Sequence, residues 1–212
     1  MDPNDEIEQL RRQLDQARKD AVTREAELQR YHQQLEAANL QLRELATTDP
    51  LTGLANRRVF DVRLSVDFAH ARRYSRDMAV LILDVDNFKQ RNDRFGHDEG
   101  DLTLRRLAAL LARSVREADL VVRYGGEEFV LLLPETNEQQ ALTMSNRIMA
   151  MVRGYEWGHE QLTVSGGIAD LQPSVMKPHE LVTRADKALY AAKHAGKDRI
   201  INWSGIAKTR EQ

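Results

Sequence analysis

A seven-residue repeat runs through the first 46 residues and limits what this part of the chain can fold into. With Ile7 at the first core position of the heptad, eleven of the twelve core positions up to Leu45 carry an apolar or aromatic side chain, and Arg24 is the exception. The segment contains no glycine, so we predict one continuous helix. Its narrow apolar stripe needs a partner, and the spacing therefore predicts a parallel, homodimeric coiled coil over residues 1–46. A single amphipathic helix folded onto the rest of the chain is the alternative.

Composition excludes several classes of protein. The chain has 31 Lys and Arg against 33 Asp and Glu, a formal charge of −2, whereas domains built to bind nucleic acid typically have a pI above about 9. We therefore expect no DNA or RNA partner. The absence of cysteine excludes disulfides, thiolate metal sites and a cysteine nucleophile. No run of about eighteen apolar residues predicts a membrane segment or signal peptide, so we expect a cytoplasmic protein.

After Leu45 the repeat stops, and Pro50 interrupts the helix. We predict a globular domain over residues 47–205, followed by a flexible tail over residues 206–212. Its apolar runs alternate between strand and helix patterns, which is typical of an α/β sandwich. Gly125 and Gly126 separate two such runs and predict a two-residue hairpin, because both positions can take positive φ without steric cost.

Three carboxylates lie where predicted strands begin or end. Asp84 closes the apolar run AVLILD, and Glu127 and Glu128 follow the paired glycines. If the two strands are neighbours, the carboxylates converge and need a cation between them. An all-oxygen donor set favours Mg²⁺ or Mn²⁺ over zinc. Considered without further context, such residues more often lie on a solvated surface.

Four segments occur together in one order: TTDPLTGLANRR, LILDVDNFKQRNDRFGHDEGD, RYGGEEF and ADKALYAAKHAGKDR. In this order and spacing, residues 47–203 resemble the GGDEF-domain diguanylate cyclases. The resemblance implies the palm-like α/β (α+β) sandwich of the nucleotide cyclases, here preceded by the long coiled-coil helix. It also implies condensation of two GTP into 3′,5′-cyclic di-GMP, with loss of two pyrophosphates.

The resemblance also implies roles for residues around the motif GGEEF, which is one of the two versions found in active members. Two Mg²⁺ or Mn²⁺ ions per active site are implied, with Asp84, the backbone carbonyl of Val85, Glu127 and Glu128 as the metal-binding groups. The implied catalytic residues are Asp84, Glu127, Glu128 and Lys193.

Further positions match the family's substrate contacts. These are Lys89, Lys193 and Lys197 for the triphosphate, Asn92 and Asp101 for guanine, and Gly125 and Gly126, whose amides approach phosphate oxygens. Lys197 stands where the family often has arginine. His97 either lines the nucleotide pocket or makes a hydrogen bond at the start of a helix. We predict that Asp86 is a helix N-cap rather than a metal ligand.

An RxxD segment resembles the family's inhibitory product site. Its ends are Arg116 and Asp119, and five residues separate Asp119 from Gly125. Arg147 resembles the second arginine of that site. His70 stands where some relatives have arginine on the first helix, which leaves open whether inhibition also acts between domains.

The reaction needs two GTP-loaded domains facing each other. We therefore predict a homodimeric diguanylate cyclase that its product inhibits. The alternatives are a catalytically silent module that binds cyclic di-GMP, and a scaffold in which the coiled coil is the functional part. Intact residues at the implied active site favour the enzyme.

Overall fold

The computed structural model of the chain describes residues 24–25, 29–35 and 47–210, with backbone alone for the last four. The chain divides into two compact units, Met1–Ala46 and Thr47–Gln212. Residues 24–25 and 29–35 of the first unit are helical, and the side chains of Tyr31 and Leu35 are exposed. Most of the predicted coiled coil lies outside the described residues, so its dimeric form stays a prediction.

The described part of the second unit contains both strands and helices. In chain order they are β1 (Ala55–Asn56), α1 (Arg57–Tyr74), β2 (Met78–Val85), α2 (Phe88–Phe95), α3 (His97–Ala112), β3 (Leu120–Arg123), β4 (Glu128–Pro134), α4 (Glu138–Gly154), β5 (Val164–Asp170), α5 (Pro178–His194), β6 (Ile200–Asn202) and α6 (Trp203–Arg210).

The strands form one sheet in the order β1-β3-β4-β2-β5-β6. β2 lies inside this sheet, antiparallel to both β4 and β5. All eight residues of β2 are buried, because alternate side chains enter the cores on the two faces of the sheet. Leu81 and Leu83 pack with α3 and α4, whereas Val80 and Ile82 pack with α1 and α5. The predicted α/β sandwich is confirmed.

The hairpin between β3 and β4 differs from the prediction. Four residues, not two, connect the strands, and the backbone amides of Tyr124 and Gly125 both donate to the carbonyl oxygen of Glu128, at 2.8 and 3.3 Å. Neither Gly125 nor Gly126 lies in the left-handed region of φ. The longer connection spreads the chain reversal over four residues, so the prediction of a two-residue hairpin was wrong.

Two other features were absent from the sequence-based prediction. β1 has two residues and pairs in parallel with β3 at the edge of the sheet. A strand so short carries no readable alternation, and its existence depends on the pairing partner. α6 continues the chain as a helix where a flexible tail from residue 206 was expected. None of the helices described here is long and apolar enough to cross a membrane.

Candidate functional site

Asp84 lies near the end of β2, at 5% exposure, directly opposite Glu128 of β4 in the sheet register. The sheet buries this carboxylate because β2 has a neighbouring strand on each side and helices on both faces. Burial is the main cause that raises the pKa of Asp84 above its ordinary value of 3.8, and the charges of Glu127 and Glu128 raise it further. The ammonium of Lys193 opposes this effect, with its Nζ 2.8 Å from the Asp84 Oδ2.

The three predicted carboxylates therefore act on one another across the β2–β4 pair. The backbone also ties the two strands here, since the amide of Val85 donates to the carbonyl oxygen of Glu127 at 3.3 Å. Within the part of the chain that the structure describes, no three acidic or histidine side chains are grouped closely enough to form a metal site by themselves. An ion held here would need oxygens from a ligand as well, which is usual for Mg²⁺ bound beside phosphates.

Asp86 is not the helix N-cap that we predicted. Asn87, with φ of 57°, stands at the N-cap position of α2, and its side chain makes no capping bond. The buried carboxylate of Asp86 instead accepts hydrogen bonds from Thr163 Oγ1 at 2.8 Å, Ser165 Oγ at 2.7 Å and the amide of Asp198 at 3.0 Å. These donors lie at least 77 positions away in the sequence. The local sequence around Asp86 therefore predicted a helix cap, because it contains no sign of these distant hydrogen-bond partners.

Asn92 on α2 has a side-chain oxygen that is buried and has no hydrogen-bond partner among the described residues. It packs against Gly100 of α3, where a Cβ would lie 1.8 Å from Asn92 Oδ1. Gly100 thus makes room for the amide. Asp101 follows at the same junction and is half-buried, while His97 is exposed at the first position of α3. An unpartnered buried acceptor costs free energy and is suited to a ligand that donates.

Two lysines lie near the start of α2. Lys89 is exposed in its first turn, and Lys197 Nζ donates to the side-chain oxygen of Asn87. Cations at this end of a helix add to the positive end of the helix dipole and favour a bound anion. Gly125 is less available than predicted, because its amide already donates to Glu128 within the hairpin. A Cβ there would also lie 2.6 Å from Glu128 Oε2.

Arg123 and Asp49 form a link that the sequence analysis missed. The Arg123 guanidinium contacts both Asp49 carboxylate oxygens at 3.1 Å and donates to the Gly126 carbonyl oxygen at 3.1 and 2.8 Å. Burial favours a higher pKa for Asp49, but hydrogen bonds from Thr52 and Arg123 outweigh it and hold the pKa below 3.8. The sequence signal for this link was that Asp49 lies in the segment TTDPLTGLANRR and Arg123 in the segment RYGGEEF.

The three residues assigned to the inhibitory site line one cavity of about 660 Å³. The amide of Arg116 donates to the Asp119 carboxylate at 2.9 Å, so the RxxD segment closes on itself as a turn. Arg147 reaches across from α4 and donates to the carbonyl oxygen of Ser114 at 2.6 Å. His70 lines a different cavity.

Comparison with known proteins identifies relatives of this chain. Residues 46–199 match the family described as diguanylate cyclase, GGDEF domain. The chain is 39% identical over 162 residues to the diguanylate cyclase DgcP of Pseudomonas aeruginosa, and 41% identical over 164 residues to the response regulator PleD of Caulobacter vibrioides. Both alignments cover 74% of this chain but only 24% of DgcP and 36% of PleD. The chain thus spans well under half the length of these relatives.

Two solved structures are similar in fold. The coiled coil and GGDEF domain of DgcB from Caulobacter crescentus, in complex with c-di-GMP, has a TM-score of 0.78 and 32% identity, covering 85% of this chain and 97% of that one. The active GGEEF domain of a diguanylate cyclase from Vibrio cholerae has a TM-score of 0.69 and 31% identity, covering 71% and 97%.

Proposed function

Because the chain belongs to the GGDEF-domain diguanylate cyclase family, we propose that it condenses two GTP into 3′,5′-cyclic di-GMP and releases two pyrophosphates. The observation that carries this proposal is the buried carboxylate of Asp84 near the end of β2. It lies opposite Glu128 in the sheet register and 2.8 Å from Lys193 Nζ, and the charges of Glu127 and Glu128 act on it. The carboxylate oxygens are suited to binding the cations of a nucleoside triphosphate, and the ammonium is suited to binding its phosphates. Each of these residues is intact in this chain, which favours the enzyme over a silent binding module.

The donor set fits a divalent cation, because Asp84 is a buried carboxylate beside two further carboxylates, and burial followed by the charges of Glu127 and Glu128 raises its pKa. Mg²⁺ or Mn²⁺, two per site as in the family, would be held by Asp84, the Val85 carbonyl oxygen, Glu127 and Glu128. When bound, such ions neutralise phosphate charge and stabilise the attacking and leaving oxygens. The chain itself contributes Lys89 and Lys197 at the start of α2, and Lys193 beside Asp84, as contacts for the triphosphate.

Guanine recognition follows from the unpartnered oxygen of Asn92. Guanine presents N–H donors at N1 and N2, and a buried acceptor gains the hydrogen bond that it lacks. Asp101 at the same junction offers a carboxylate to a second donor. Adenine presents no donor at either of these positions, so its binding would leave a buried acceptor unpaired, at a cost of about 1–3 kcal/mol.

Two chains must cooperate, since one domain holds one GTP and the cyclic product contains two reciprocal phosphodiester bonds. The predicted coiled coil over residues 1–46 supplies the homodimer. Tethering brings the second domain to an effective concentration of about millimolar. The similar DgcB structure likewise contains a coiled coil and a GGDEF domain.

Product inhibition is assigned to the cavity that Arg116, Asp119 and Arg147 line. Arginine binds phosphate oxygens through two parallel hydrogen bonds, and a carboxylate accepts from guanine. Arg116→Ala should therefore raise the concentration of cyclic di-GMP that halves turnover, by about tenfold or more. Arg105→Ala is the control, because Arg105 is an exposed arginine of α3 that does not line this cavity. Equal inhibition of wild type and Arg116→Ala would show that the inhibitory site lies outside this cavity.

The proposal is tested by incubating the purified chain with GTP and Mg²⁺ and separating the nucleotides by chromatography. We expect cyclic di-GMP and pyrophosphate from wild type, and none from Glu127→Gln, whose oligomeric state in size-exclusion chromatography stays unchanged. A chain that binds cyclic di-GMP in calorimetry but leaves GTP intact would be the silent binding module instead.

A further inference from the structure

Residues Gly196–Asp198, here named the 197 turn, have an unusual backbone. Their φ values are 111°, 62° and 46°, so three consecutive residues have positive φ. Glycine adopts this region freely, whereas lysine rarely does and aspartate does so only occasionally. Such conformations persist where the surrounding structure fixes them, and they concentrate at functional sites. The contacts that fix this turn therefore indicate which side chain it positions.

Arg153, in the last turn of α4, holds the turn from one side. Its Nε lies 3.0 and 3.1 Å from the two carboxylate oxygens of Asp198, and its Nη2 donates to the Asp198 carbonyl oxygen at 2.8 Å. One guanidinium thus binds both the side chain and the backbone of the same residue. Because it is a planar fork, the guanidinium constrains the peptide after Asp198 as well as the carboxylate.

Asp86 holds the turn from the other side. Its Oδ2 accepts the Asp198 amide at 3.0 Å, while Thr163 and Ser165 of the β5 region fix the same carboxylate. The amide of Lys197 completes the arrangement by donating to the Ala192 carbonyl oxygen at the end of α5, at 3.1 Å. Asp198 is therefore bound on its amide, its carbonyl and its side chain.

The residue that this turn presents is Lys197. Its ammonium donates to Asn87 Oδ1 at the start of α2, beside Lys89. A lysine side chain is long and flexible, so where its ammonium points depends on where its backbone is fixed. A relaxed turn would let Lys197 leave this position.

We propose that Arg153 is a positioning residue for GTP, acting through Asp198 to keep Lys197 directed at the triphosphate. This inference rests on the proposed function. The side-chain contacts of Arg153 go to Asp198 and not to Asp84, Glu127 or Glu128, so its effect passes through the 197 turn. Loss of Arg153 should therefore weaken nucleotide binding in the same way as loss of Lys197, and to a smaller extent.

The test is a double-mutant cycle on the full chain with Arg153→Ala, Lys197→Ala and the combined variant. Affinity for a non-hydrolysable GTP analogue with Mg²⁺ is measured by calorimetry, together with KM and kcat for GTP. We expect Arg153→Ala to raise Kd and KM about three- to tenfold with a smaller change in kcat, and to add nothing once Lys197 is alanine. Arg153→Lys, which cannot make the fork, should restore only part of the affinity.

Arg72→Ala is the matched control, because Arg72 also lies in the last turn of a helix and donates to a distant carbonyl, that of Pro173. It lies at the opposite ends of β2 and β5 from Asp84, and its Kd should equal that of wild type. An unchanged Kd in Arg153→Ala would overturn this inference but not the proposed function. The same holds if the fold-changes in Kd of Arg153→Ala and Lys197→Ala multiply in the combined variant, because the two residues would then act independently. Failure of the wild-type chain to bind the analogue would overturn the proposed function, and this inference with it.

Discussion

At the scale of single residues, the site combines groups that are poorly satisfied in the protein alone. Asp84 is a buried carboxylate whose pKa is raised, and Asn92 has a buried oxygen without a partner. Both features cost stability, and both are relieved when a cation or a donor binds. Proteins commonly keep such costs at functional sites.

Asp84→Asn should make the metal-free protein more stable while abolishing cyclic di-GMP synthesis. A raised native pKa means that the folded state binds the proton more tightly, so unfolding free energy falls as pH rises from 3.8 through the native pKa of Asp84. The variant lacks this loss, and its Tm at pH 7 with chelator should exceed that of wild type. The difference should shrink below pH 3.8.

The matched control is Asp170→Asn on β5, because burial, followed by the charge of Glu138, also raises the pKa of Asp170. It should show the same sign in thermal melting and retain full turnover. A lower Tm for Asp84→Asn would mean that the contact with Lys193 outweighs burial.

Gly100→Ala should weaken GTP binding with little change in stability. Alanine favours a helix by about 1 kcal/mol over glycine, but its Cβ would lie 1.8 Å from Asn92 Oδ1 and displace that side chain. KM for GTP should rise about tenfold, the equivalent of one lost hydrogen bond. The preference for GTP over ATP in binding should fall as well. Unchanged KM would show that Asn92 does not contact the base.

At the scale of elements, the close packing of α5 on β5 depends on a glycine. A Cβ on Gly167 would lie 2.0 Å from the carbonyl oxygen of Ala185 and 2.2 Å from the amide of Leu189, both backbone atoms of α5. The backbone of a packed helix cannot rotate away as a side chain can. Any side chain at this position must push α5 off the sheet.

Gly167→Ala should therefore lower the free energy of unfolding by about 3 kcal/mol or more, as overpacking against a fixed backbone does. Chemical denaturation measures this change. Gly154→Ala is the control, because a Cβ at the end of α4 meets no atom within 4 Å. A free energy of unfolding for Gly167→Ala equal to that of wild type would contradict the packing of α5 on β5 described here.

A second contact between elements joins the start of the domain to the β3–β4 hairpin. Asp49→Asn should cost about 1–3 kcal/mol of stability at pH 7, because it removes the charge that holds Arg123. The pKa of Asp49 is lowered in the fold, so its carboxylate stabilises the protein above pH 3.8 and loses that effect as pH falls through the native value. Urea titrations of the two proteins should converge in strong acid. A constant difference at every pH would assign the effect to packing.

At the scale of the whole molecule, the proposed reaction belongs to a pair of chains. A dimer with one inactive site can make at most one of the two phosphodiester bonds, and no cyclic product results. Activity should therefore follow the fraction of dimers in which both sites are intact.

Mixing wild type with an equal amount of Glu127→Gln, after subunit exchange, should lower cyclic di-GMP synthesis per wild-type chain to about half, since about half of these chains pair with an inactive one. Mixing with Asp170→Asn should leave the rate unchanged. Synthesis per wild-type chain that is independent of the inactive partner would show that one chain suffices.

The sequence by itself determined the kinds of donor at the site, the family, and the order of the helices and strands other than β1 and α6. Apolar periodicity and the motif around Gly125 depend on residues close together in the chain, and such patterns can be read from the sequence. The tertiary structure decided the partners of Asp86, the link from Asp49 to Arg123 and the burial of Asn92 against Gly100. Most of these contacts join residues tens of positions apart, and the register of β2 with β4 and β5 brings such residues together. Sequence patterns could not supply them, because a local pattern does not encode which strand lies beside which.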